Sequence, residues 1–109
     1  MKETIIINGK EYRVAVNWNA IRDYCGRKGV NDLTEIDSVL SFNIDGMLTM
    51  AHCCIKEGER LEGRKFEMTE EDLGAMMNPI EMTEFAKSYV RQATTGMSGE
   101  NGTKKKREA

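Results

Sequence analysis

Residues 51–57, "AHCCIKE", are the one stretch of this chain whose side chains look chemical. His52, Cys53 and Cys54 with Cys25 would make one His and three Cys, the ligand set of a structural zinc site. The spacing speaks against it. Consecutive residues on a helix project about 100° apart, so three in a row cannot converge on one tetrahedral ion. The CxxC-type spacing of zinc motifs is absent as well. A Cys–His nucleophile pair fails for a related reason, since the base must reach its nucleophile and be oriented by a third group. No two carboxylates stand out as acid and base, and there is no GxxxxGK phosphate loop. The sequence therefore predicts a protein that is not an enzyme and needs no metal or cofactor. Cys54 is expected in the core, His52 beside it, and Cys53 pointing away.

The elements around that stretch begin with "ETIIINGKEYRVAV". Thr4 to Ile7 is β-branched, and Asn8-Gly9 supplies the two positive φ angles of a type I′ hairpin turn. On the return strand, Glu11 to Val16, the residues Tyr12, Val14 and Val16 alternate with Glu11, Arg13 and Ala15. Two strands alone are marginal, so a helix must cover them. Asn17 is placed to cap that helix and Gly29 to end it in the left-handed conformation. Its apolar stripe reads Trp18, Ile21 and Cys25, flanked by Tyr24. Gly26, inside the last turn, is out of place for a helix.

Residues 31–42, "NDLTEIDSVLSF", read as a polar loop and a short helix. A longer helix is expected from Asn43 or Asp45 to about Glu59, with Ile44, Met47, Leu48, Ala51, Cys54, Ile55 and Gly58 on one face. "GERLEGRKFEM" reads as a loop, with an extended piece at Lys65 to Met68. Thr69 with Asp72, and Asn78 with Pro79 and Glu81, are two helix starts. The last helix carries Met82, Phe85, Ala86, Tyr89, Val90 and Ala93 on one face. The predicted fold is α+β: an N-terminal β-hairpin packed on a mostly helical bundle, ββα plus three to four helices, spanning residues 1–96. Residues 97–109 have no apolar period and are expected to form a disordered basic tail.

Composition narrows the function. The chain has 109 residues, 16 Lys plus Arg and 18 Asp plus Glu. Without residues 97–109 it keeps 12 basic and 16 acidic residues, a balance of −4, so nucleic acid is not an expected partner. No apolar run approaches the ~20 residues of a membrane span, and no signal-peptide pattern opens the chain, which points to the cytoplasm. Three cysteines, two of them adjacent, make no disulfide framework. Eight Met outnumber the seven aromatic residues. Met fills irregular cores and builds adaptable binding surfaces.

The order of these segments resembles the tail assembly chaperones of long-tailed bacteriophages and prophages. The likeness rests on the "NGKEY" hairpin, a helix with Ala20 and Ile21, a small-residue helix from Met47 to Ile55 and the acidic "TEEDL" start, over about residues 3–95. Members of that family bind the long tape measure protein, keep its apolar helices soluble and help recruit tail tube subunits. The resemblance thus implies tape measure and tail tube proteins as partners, the host bacterial cytoplasm as location, and a homo-oligomer as one possible state. In many relatives a frameshift yields a second, longer product, with which Lys104 to Lys106 are compatible. Met47, Met50, Met76, Met77 and Met82 are the candidate partner-binding residues, with Met50 and Met77 placed beside their helix stripes. The competing readings are a tail tube or head-tail joining subunit, and a nucleic-acid-binding regulator that uses Lys104 to Arg107.

Overall fold

The structure is a computed structural model in which residues 2–30 and 44–98 are described. The short helix expected in 31–42 and residues 99–109 of the expected basic tail lie outside the described residues. The architecture is α+β: a two-stranded antiparallel hairpin followed, among the described residues, by four helices.

Strands β1 (Glu3–Ile7) and β2 (Lys10–Val14) pair with Ile7 opposite Lys10 and Ile5 opposite Tyr12. Asn8 at φ 52° and Gly9 at φ 83° make the turn that this two-residue loop requires. Ile5, Ile7, Tyr12 and Val14 are buried on one face, while Ile6 faces out. β2 stops at Val14, short of the expected Val16. The Ala15 N–H donates to the Cys54 carbonyl at 3.1 Å, which draws Ala15 into the interior instead of leaving it at the surface.

Helix α1 (Trp18–Lys28) starts where the Asn17 carboxamide oxygen accepts the Ala20 N–H at 3.1 Å, and Gly29 closes it at φ 75°. Its buried face is rotated from the expected stripe. Ala20 and Tyr24 are buried, Ile21 and Cys25 pack partly beside them, and Trp18 stays 61% exposed. The i, i+4 pair Ala20 and Tyr24 carries the contact because these positions lie one above the other on the helix.

Helix α2 (Ile44–Leu61) is the central element, touching α1, β2 and the two later helices. So many neighbours widen its buried arc well beyond one stripe: Met50, Ala51, His52, Cys53, Cys54, Ile55, Glu57, Gly58 and Glu59 are all buried. Ile44, expected inward, is exposed at the helix start. The helix also runs on to Leu61, past the expected end at about Glu59. Gly58 is required by contact, since a Cβ there would run into the Arg13 carbonyl. Glycine lets α2 lie directly against the edge of β2, and the Arg13 N–H finds the Glu59 carboxylate at 3.2 Å. This edge is thereby closed to other strands.

After α2 the chain continues through residues 62–69, where Lys65 to Met68 pair in no strand. Phe66 packs edge-on against Tyr12, with ring centroids 5.7 Å apart. Helix α3 (Glu70–Met76) has the expected capping box between Thr69 and Asp72, and buries Leu73. Asn78 and Glu81 form a second reciprocal cap: the Glu81 N–H donates to Asn78 Oδ1 at 2.8 Å and the Asn78 N–H to Glu81 Oε1 at 3.0 Å. Helix α4 (Pro79–Ser98) follows, with Phe85, Ser88 and Tyr89 buried against β1 and α2. Val90, expected on that face, is 56% exposed. Ser88 takes the inward place instead, because its hydroxyl donates to the Glu3 carboxylate at 2.6 Å.

Candidate functional site

His52 and the two neighbouring thiols are built into the frame. His52 Nε2 donates to the Met68 carbonyl at 2.6 Å, and Nδ1 accepts from the Arg27 guanidinium at 2.9 Å. Both ring nitrogens are engaged, an arrangement that suits the neutral imidazole. Burial, with Arg27 nearby, lowers its pKa from the ordinary value. Cys53 does not point away: it is buried, and burial pushes its thiol up to about 12. Burial likewise raises the Cys54 thiol well above its ordinary value. Protonated thiols are poor nucleophiles and poor metal ligands. Among the described residues no three His, Cys, Asp or Glu side chains converge as metal ligands.

The candidate methionines divide into different environments. Met50 corrects the expectation that it lies beside its helix stripe: it is 0% exposed, enclosed within the core. A single apolar stripe misses this because α2 is covered from several sides. Met47 is half-buried on the same helix. Met76, Met77 and Met82 are also half-buried, packed against the core from outside. They flank the bend between α3 and α4, where Ile80 stands 73% exposed. This elbow collects flexible thioethers and a branched apolar side chain at one place on the surface. Ile80 was not among the residues singled out from sequence. Its position at the second residue of a capped helix, next to Pro79, was the available signal, because the first turn of α4 lies over the bend and not over the core.

A second surface feature is a cleft of about 1120 Å³ between α1, the C-terminal half of α2 and the loop after it. Six Lys or Arg and two carboxylates line it. Its inner acid, Glu57, is buried and fully bound: Arg60 donates to both oxygens, and the Asn17 and Asn19 amides donate at 2.8 and 3.1 Å. The Arg60 bonds above all, helped by the two amides, hold the Glu57 carboxyl down to about 2. Asp23 is likewise held by two bonds from Arg27. This cleft is not legible in the sequence, since its cations come from three separate segments.

No helix among the described residues is long and apolar enough to cross a membrane. No protein-family profile, curated protein or solved structure matches the chain.

Proposed function

We propose that this protein is a tail assembly chaperone of the long-tailed phage type, which holds the apolar helices of a tape measure protein in solution and helps recruit tail tube subunits. It acts in the host cytoplasm, without cofactor or catalytic turnover. The observation that supports this reading is the elbow between α3 and α4. A holdase for long apolar helices needs surface that is apolar, adaptable and rigidly mounted. Met76, Met77 and Met82 supply unbranched, polarizable side chains, anchored on the core beneath them. Ile80, between Met77 and Met82 in the chain, adds an exposed anchor. Helix-in-groove recognition reads such spaced anchors rather than one fixed sequence.

The test is co-expression with an apolar helical fragment of a tape measure protein, scored for soluble complex. Ile80→Glu combined with Met77→Gln leaves the core covered and is expected to cut recovered complex about tenfold, at unchanged circular dichroism. Binding by wild type should vary little with salt, because apolar contacts are not screened. Equal recovery with wild type and variant would remove the elbow from the mechanism. Binding that collapses in salt and needs Lys104 to Arg107 would favour the nucleic-acid reading.

A further inference from the structure

The cleft between α1 and α2 carries a different inference, independent of the chaperone reading. Three of its cations, Arg22, Lys56 and Lys65, are exposed and have no carboxylate within ion-pair distance among the described residues. They come from α1, α2 and the following loop, so they face a shared space from three sides. The remaining cations are held in place: Arg27 on Asp23 and Glu70, Arg60 on Glu57, and Arg64 on Glu59. The body of the chain outside the tail has a balance of −4. A positive cleft on an acidic body is a local arrangement, not a consequence of composition.

Gly26 provides a second observation. It lies within α1 and lines the cleft, and apart from its chain neighbours and the backbone of its own helix no described atom comes within 4 Å of where its Cβ would be. Glycine inside a helix is roughly 0.5–1 kcal/mol worse than alanine. Neither packing nor a positive φ explains it here, since only Asn8, Gly9, Gly29 and Gly63 have positive φ among the described residues. What it does is keep that wall of the cleft bare. Phe66, half-buried on Tyr12 and His52, gives the opposite side an apolar surface.

We propose that this cleft binds an acidic, partly apolar segment of a partner protein, with Arg22, Lys56 and Lys65 pairing its carboxylates and the space over Gly26 admitting its backbone. The pattern of fixed charge selects this class of partner over a nucleic acid. Two of the carboxylates that hold the fixed cations, Asp23 and Glu57, line the cleft among the basic side chains. A phosphate backbone, with its unbroken line of charge, meets those acids. A peptide with spaced carboxylates passes between them. The helix N-terminus at the edge of the cleft, that of α1, is capped by Asn17 and faces Glu57, so it offers no phosphate seat.

The probe is a fluorescein-labelled peptide repeating Glu-Leu-Ala-Glu, with oligothymidylate of equal charge as the comparison. Peptide binding should be saturable, weaken with salt, and shift the backbone amide signals of Gly26 and Gly63 in a titration followed by NMR. Replacing Arg22, Lys56 and Lys65 together by Gln should weaken binding at least tenfold. Gly26→Leu keeps every charge but fills the space, and should weaken binding by a similar factor. No saturable binding, or binding by both variants as tight as wild type, overturns the proposal. Tighter binding of oligothymidylate than of peptide overturns it in favour of a nucleic-acid site. Loss in the triple variant but not in Gly26→Leu would reduce the cleft to diffuse charge attraction and overturn the assigned site. None of these outcomes touches Met77 or Ile80, so failure here and failure of the chaperone reading are separable.

Discussion

The two flanks of α2 treat space in opposite ways, and a glycine marks each. Toward the hairpin, Gly58 removes the one side chain that would hold the helix away from β2, and backbone meets backbone. Toward α1, the surface is left open, and Gly26 across the cleft touches no described atom. The same residue type thus closes one seam and clears another. On the closed flank the Arg13 and Ala15 N–H groups are both bonded to α2. The open flank leaves three cations without an ion-pair partner among the described residues. The first is what a fold needs, and the second is what a fold alone does not explain.

The largest effect should follow from breaking the closed flank. Gly58→Ala places a methyl group into the Arg13 carbonyl, a backbone atom that cannot rotate aside as a side chain can. A cost of about 3 kcal/mol is expected, at the upper end of overpacking effects. Urea denaturation measures it. A loss below about 1 kcal/mol would show that α2 and β2 can separate freely, and the contrast between the flanks would fail.

A smaller effect comes from acid. The Glu57 carboxyl is held down to about 2, first by Arg60 and then by Asn17 and Asn19. A depressed carboxylate stabilises the fold above its unfolded pKa, and that contribution is lost as pH falls through the folded value. Stability should therefore decline from the ordinary carboxylate range, ~4.3, down toward 2. Because Arg60 is well exposed, solvent screening trims the effect to on the order of 2 kcal/mol. Glu57→Gln should flatten this limb when stability is followed by denaturant titration at several pH values. An unchanged profile would mean that Glu57 is solvated and the floor of the cleft is loose.

His52 should give a milder limb at higher pH. Its folded pKa is lowered by burial, so the unfolded chain takes up the proton first as pH falls below ~6.5. Stability is full above that pH and declines below it, because burial and the Arg27 charge outweigh the Met68 carbonyl, which favours the charged ring. NMR titration of the ring should show a midpoint below the ordinary histidine value. A raised midpoint would mean that the Arg27 contact is absent in solution.

The sequence made the local devices legible because their chemistry is local. The Asn8-Gly9 turn, the Asn17, Thr69 and Asn78 caps and the Gly29 terminus each depend on a few neighbouring residues. Which face each helix buries was less legible. Trp18, Val90, Met50 and Cys53 were misplaced because the period of 3.6 gives a direction without the width of the buried arc. That width depends on how many elements pack around the helix, and α2 touches β2 and all three other described helices. Glu57 and Glu59, buried acids in "EGER", were invisible as core residues. Arg60 and Arg64, three and five positions on, were the sign that such acids are paired. The candidate site was legible only in part: Met76, Met77 and Met82 flank the elbow, but the exposure of Ile80 and the gathering of the cleft cations belong to tertiary structure.

The smallest effect is the one that separates the two glycines most cleanly. Gly26→Ala adds a methyl group where no described atom stands within 4 Å, on a residue already in helical conformation. With no clash and less freedom lost on folding, the protein should gain up to ~1 kcal/mol. Thermal unfolding should register this as a rise of a few degrees, of opposite sign to Gly58→Ala. A gain would mean that a more stable residue was available at Gly26 and that the position serves something other than folding. A loss would show that Gly26 is packed after all, against parts of the chain beyond the described residues, and the open flank would have a structural explanation.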